Sequence, residues 1–175
     1  MMRQADKLDS YNLLAAAFSR LAAERPRRPW RLLVVGDGPA RPQVEAALAS
    51  LHSDRVCLLG ALESPSLLPI YLGADLFVFP GIGEEYGLVY LEAAAAGLLT
   101  VACHGPGPSF MVAPDGGILT DPSPGAFAEG LRRLLDNSDD RQRMGALAHR
   151  FVCLERSMEA FQRRLGDGLA RLGLS

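Results

Sequence analysis

The chain has 175 residues, 49% of them hydrophobic, and a formal charge of −2 from 18 basic and 20 acidic side chains. That supplies one sizeable core, which excludes intrinsic disorder, and leaves no positive excess to hold nucleic acid or an anionic bilayer by bulk attraction. No apolar run approaches the ~20 residues of a spanning helix, and Met1 to Ser10 lacks a charged segment followed by an apolar one, so the chain reads as soluble, unsecreted and cytoplasmic. Cys57, Cys103 and Cys153 are far apart and lack C-x-x-C or His spacing, as expected of reduced cysteines with no metal site. Lys7 is the only lysine.

Asp9 to Glu24 places Leu13, Leu14, Ala17, Phe18 and Leu21 on one helical stripe, with Asp9 or Ser10 as N-cap and Pro26 beyond its end. Arg31 to Val35 is a short apolar strand ended by Gly36, and Pro39 to Leu51 resumes helical spacing. Arg55 to Leu59 predicts a second strand, Ser64 to Gly73 a short helix, and Asp75 to Phe79 a third strand stopped by Pro80-Gly81. A helix over Tyr86 to Ala96 follows, then a strand over Leu98 to Cys103, at most a helical turn at Ser109 to Val112, and a strand over Gly117 to Thr120. Pro124 to Leu135, Asp139 to Phe151 and Arg156 to Leu172 predict three closing helices, with Ser123 and Ser138 or Asp139 as caps.

Alternation of strand and helix predicts a doubly wound, Rossmann-like α/β fold: a parallel sheet with helices on both faces and extra C-terminal helices, as one domain over 1–175. Ligands of such sheets bind beyond the carboxyl ends of the strands, which directs attention to the loops at Gly36–Pro39, Gly60–Glu63, Pro80–Glu85 and His104–Pro108. Gly36-Asp-Gly38-Pro lies between a strand and a helix, where it is either a tight turn or a place where backbone meets an anion. Arg41 occupies the third position of a G-x-G-x-x-G fingerprint, so nicotinamide or flavin binding loses support. Glu84 falls in a strand-end loop and Glu92 inside the next helix, amid Tyr90, Leu91 and an alanine run. A carboxylate buried there needs partners, either ligand hydroxyls or an arginine, unless it turns to solvent. Tyr86, Gly87, Leu88 and Val89 are expected to form the first turn of that helix, whose unpaired N–H groups can meet an anion. His104, in a glycine and proline loop, reads as a rim residue.

These residues together resemble the retaining glycosyltransferases of family 4. The segment from Pro80 to Gly97 is similar to the family's E-x7-E segment. In order along the chain, Arg3 and Lys7 resemble its basic pair, Gly36-Asp-Gly-Pro39 its G-D-G-P turn, and Asp75 to Pro80, Ala96-Gly97 and Gly116-Gly117-Ile-Leu its later landmarks. The resemblance implies the donor-binding half of a GT-B fold that transfers a hexosyl group from a nucleoside diphosphate sugar with retention, by front-face attack and without metal or cofactor. Arg3 and Lys7, with the backbone at Leu88 and Val89, would face the diphosphate. Glu84 would hold the sugar hydroxyls and Glu92 the ribose, while Leu59 and Gly60 lie where the family holds the base. Family members carry a preceding strand and an acceptor domain, which implies that the N-terminal acceptor domain is absent from this chain. The acceptor is left open between a glycan and a lipid-linked glycan, and the full-length enzyme between a cytoplasmic protein and one peripheral at the inner face of a membrane. A non-catalytic nucleotide-sugar binding module and an epimerase-type enzyme of related fold are the alternatives. The chain departs from the family in having Leu99 for a usual proline, Glu85 for a small residue, and no acidic residue after the loop from His104 to Phe110.

Overall fold

The computed structural model describes residues 6–27, 29–51 and 54–173. Helix α1 (Asp6–Glu24) begins ahead of the expected Asp9 or Ser10 cap. Ser10 cannot cap because it faces inward, 0% exposed, and its hydroxyl accepts the Ile82 backbone N–H at 2.9 Å. The predicted stripe of Leu13, Leu14, Ala17, Phe18 and Leu21 is buried. Strand β1 (Leu32–Val35) leads to α2 (Arg41–Leu48), shorter at both ends than Pro39 to Leu51 because the 38–40 segment is spent in a turn and the chain turns again after Leu48. Strand β2 (Val56–Gly60), α3 (Ser64–Gly73) and β3 (Phe77–Val78) follow.

Helix α4 (Leu88–Ala95) precedes β4 (Thr100–Cys103), and the segment expected to hold at most a helical turn is a helix, α5 (Pro106–Met111), with Pro106 in its first turn. Proline fits there because the first amides of a helix need no intrahelical acceptor. Strand β5 (Gly117–Thr120) leads to α6 (Pro124–Leu135), whose cap is Ser123 as expected: its Oγ accepts the Ala126 N–H at 3.2 Å. Helix α7 (Ser138–Phe151) is capped by Asn137, one residue before the expected Ser138 or Asp139; its Oδ1 accepts the Asp140 N–H at 3.0 Å. The helix predicted over Arg156 to Leu172 is α8 (Met158–Arg171), capped by Ser157, and a π-helical turn (Val152–Arg156) fills the stretch between it and α7, where no element is predicted.

All strand pairs are parallel, β1 with β2 in one sheet and β3–β4–β5 in the other. Strand β4 shows why this is a doubly wound arrangement. Its alternating side chains divide between two clusters: Val101 and Cys103 pack with α1 and α6 residues such as Phe18, Phe127 and Leu131, while Ala102 packs with Tyr90, Met111 and Val112. The cover is uneven at β1–β2, where Leu33, Cys57 and Leu59 are exposed on alternate positions. Sheet growth runs from β1 to β2 and, separately, from β3 through β4 to β5, with α3 connecting the two series. The strand-end loops 36–39 and 80–85 follow β1 and β3, the first strands of the two series, and ligands of such folds bind beyond the carboxyl ends of the strands.

Candidate functional site

Two contacts from one face of α1 organise the 80–85 loop. Ser10 holds Ile82 as described, and one turn earlier Lys7 Nζ lies 3.8 Å from Glu84 Oε2. Residues three apart share a helix face, which is why both can reach the same loop. The loop is fixed from its other side by backbone: Glu84 N–H donates to the Gly81 carbonyl at 3.1 Å, and the Glu84 carbonyl accepts the Gly107 N–H of α5 at 2.9 Å. Glu84 is therefore a positioned, partly buried carboxylate with a cation beside it. Arg3, the other half of the expected basic pair, lies outside the described residues.

The start of α4 differs from the expectation in one useful way. Its first turn begins at Leu88 rather than Tyr86, because Gly87 sits at φ 70° as N-cap, a left-handed conformation open to glycine. A side chain at Gly87 would also strike the Tyr90 ring, and one at Gly81, likewise at φ 70°, would strike the Tyr90 hydroxyl. Tyr90 is buried and donates to the Phe79 carbonyl at 3.3 Å, bracing the strand end against the helix start. Burial, then the Glu84 charge, then Cys103 push its phenol far up, so it stays a neutral donor. Gly87 has no side chain to cap α4 and no acidic residue occupies the first turn, so among the described residues the amides at Leu88 and Val89 carry the partial positive charge of an uncapped helix end. Tyr86 and Leu88 beside them are 70% and 62% exposed, more than core side chains of that size would be.

Glu92 is not the buried carboxylate its neighbours suggested. Tyr90, Ala93 and Ala94 take the buried positions of α4 and leave residue 92 exposed. Its Oε2 accepts a hydrogen bond from the Tyr71 hydroxyl at 3.1 Å, across from α3. Burial first, then the Glu92 charge and hydrogen bond, push the Tyr71 phenol up to about 12. Both line an open groove of ≈ 310 Å³ with Ser64, Leu67 and Leu68. Tyr71 was missed in the sequence; nothing along the chain joins two residues 21 positions apart.

At the β1 end, the Gly36 N–H donates to the Gly60 carbonyl at 2.7 Å and the Gly38 N–H to Asp37 Oδ1 at 2.7 Å. Those amides are committed, so of the two readings of Gly36-Asp-Gly38-Pro the tight turn fits the structure and the turn offers surface rather than donors. Asp37 is held below the usual carboxylate range by the Gly38 N–H and then by Arg41, whose guanidinium bridges Asp37 at 2.9 Å and Glu45 at 2.7 Å. Leu59 and Gly60 end β2 beside this turn, with Leu59 exposed. His104 is an exposed rim residue whose backbone N–H donates to Thr120.

Comparison with known proteins identifies the family and the fold. A family model described as glycosyl transferases group 1 matches residues 2–137. The chain is 32% identical to a D-inositol 3-phosphate glycosyltransferase of Kineococcus radiotolerans, over 95% of this chain and 44% of that protein. It is 34% identical to a GDP-mannose-dependent monoacylated alpha-(1-6)-phosphatidylinositol monomannoside mannosyltransferase of Corynebacterium glutamicum, over 87% of this chain and 41% of that protein. Among solved structures it is similar to sucrose-phosphate synthase from Thermosynechococcus elongatus, with a TM-score of 0.80, 26% identity, and coverage of 95% of this chain and 43% of the other. The chain thus spans under half the length of these relatives. With its parallel strands covered on two faces and a family match over residues 2–137, the chain belongs to the glycosyl transferases group 1 family.

Proposed function

We propose that residues 1–175 form the donor-binding domain of a retaining glycosyltransferase that moves a hexosyl group from a nucleoside diphosphate sugar to an acceptor held by a separate N-terminal domain. The observation that carries this reading is the Lys7 to Glu84 pair, 3.8 Å apart, beside the uncapped start of α4. A diphosphate placed there would draw Lys7 away from Glu84 and meet the Leu88 and Val89 amides, two sources of positive potential aimed at the leaving group. The freed Glu84 would then accept hydrogen bonds from sugar hydroxyls. Arg3 is assigned to the diphosphate with Lys7. Glu92, oriented by Tyr71, takes the ribose, and Leu59 with Gly60 takes the base. Gly36, Gly38 and Gly87 let backbone come close to the ligand, and exposed Tyr86 borders it.

The charge needed at the diphosphate comes from protein groups in this scheme, so binding requires no divalent metal and no cofactor. One of the relatives named above is a phosphatidylinositol monomannoside mannosyltransferase, whose lipid-linked glycan favours a glycan or lipid-linked glycan acceptor here, with the whole enzyme in the cytoplasm or at the inner face of a membrane. Titration calorimetry of this chain with UDP-glucose and GDP-mannose, with and without a chelator, tests the site. Binding that survives chelation and weakens in Lys7→Ala supports it; binding abolished by chelation, or unchanged in Lys7→Ala, contradicts it.

A further inference from the structure

Far along the chain from these loops, α7 runs into the π-helical turn, and the junction carries a second pair of reactive side chains. His149 Nδ1 lies 2.9 Å from the Ala95 carbonyl at the end of α4, and His149 Nε2 lies 3.5 Å from Cys153 Sγ. A carbonyl oxygen only accepts, so Nδ1 carries the hydrogen. A neutral imidazole carries one hydrogen, so Nε2 presents a lone pair to the thiol, which donates. Both residues are exposed, which leaves the sulfur open to a solution partner.

We propose that Cys153 is a thiol modification site with His149 as its base, taking small disulfides by thiol–disulfide exchange. Nε2 takes the thiol proton and the thiolate attacks one sulfur of the disulfide. A Cys153–S bond to that half forms as the incoming S–S bond breaks. The departing half leaves as a thiolate and takes the proton from the imidazolium. Cys153 is oxidised and the incoming disulfide reduced, with no further oxidant. The imidazolium that forms on the way sits against the carbonyl end of α4, where the helix dipole favours positive charge. The nearest acidic side chain in sequence, Glu155, is paired with Arg164 at 3.4 Å, and Arg156 stacks on Phe110 and Phe151 at 4.1 and 5.0 Å.

The other two cysteines are internal controls. Cys103 is buried. Cys57 is also exposed but has no bonded base among the described residues. An unassisted thiol is about 3% thiolate at neutral pH, so a base can speed exchange by at most about thirtyfold.

The test is labelling of the whole chain with the aromatic disulfide DTNB at pH 7, with occupancy of each cysteine read by peptide mass. Cys153 is expected to react about tenfold faster than Cys57. His149→Asn keeps a side-chain N–H for the Ala95 carbonyl but removes the Nε2 lone pair, and should bring Cys153 down to the Cys57 rate. Equal rates at the two cysteines in the unmodified chain, or an undiminished Cys153 rate in a folded His149→Asn, would overturn the proposal. Should that variant melt early, the comparison within the unmodified chain decides alone.

Discussion

Gly87 is the most sharply testable position in the site, because Gly97 at the other end of α4 supplies a matched control. Gly97 is at φ 80° in a C-terminal cap where its N–H donates to Ala94 and the Leu98 N–H donates to Ala93, both at 3.0 Å, with open space where a Cβ would go. Gly97→Ala should therefore cost only the left-handed backbone penalty, about 1–2 kcal/mol. Gly87→Ala carries the same penalty at φ 70° and adds a methyl driven into the Tyr90 ring. Overpacking of that kind costs about 1–3 kcal/mol, so the total should be roughly 2–5 kcal/mol. Urea denaturation of both variants measures the difference, and thermal melts should follow at about 2–4 °C per kcal/mol for a domain of this size. Gly87→Ala should also weaken sugar-nucleotide binding, since relief of the clash moves either Tyr90 or the first turn of α4. Equal destabilisation by the two substitutions would refute the steric argument and with it the bracing role of Tyr90.

Ser10→Ala should cost about 1–3 kcal/mol by leaving the Ile82 N–H without its acceptor, and a double-mutant cycle with Lys7→Ala should show coupling through the shared loop. Glu92→Ala should weaken nucleotide binding by roughly 1–3 kcal/mol, while Glu84→Ala should weaken sugar-nucleotide binding more than bare nucleotide binding; equal losses for both ligands in Glu84→Ala would remove its sugar-contact role. The Tyr71 phenol holds its proton up to about 12, whereas the unfolded chain releases it near 10. The folded state binds more protons in that interval, so stability should be full below pH 10 and fall as pH rises toward 12. Tyr71→Phe should remove only the Tyr71 share of that decline, since the Tyr90 and Tyr11 phenols are also pushed up by burial, and Glu92→Gln should shift the Tyr71 titration, followed by absorbance near 295 nm, only part of the way down, because burial is the larger cause.

The strands were legible because each is a short apolar run with a glycine or proline within two residues of its end, and with them came the loops at their carboxyl ends. What misled was local chemistry resolved by distant partners. Ser10 has the look of a cap, yet it is buried in α1 because an amide 72 residues away needs its oxygen. Glu92 sits in an apolar stretch, and only the rotation of α4, set by Tyr90, Ala93 and Ala94 packing inward, turns it to the surface. Asn137 outcompeted Ser138 and Asp139 as a cap by lying one residue earlier, a boundary that composition does not set. Lys7 and Glu84 were singled out separately, and the fold brings them within an ion pair. That meeting depends on the face of α1, which the apolar stripe of Leu13, Leu14 and Ala17 does specify.

The most direct test of the account is an acceptor-transfer and calorimetry comparison between this chain and the same chain joined to an acceptor domain from one of its longer relatives. Orientation of the two reactants supplies roughly 7–11 kcal/mol of barrier reduction, and an open half-cleft leaves the diphosphate in water, where Lys7 acts through a high dielectric. The account predicts that the 175-residue chain binds sugar nucleotide weakly and transfers nothing, and that the joined protein binds more tightly and transfers with retention. Robust transfer by the chain alone, or no sugar-nucleotide binding by either protein, would contradict it.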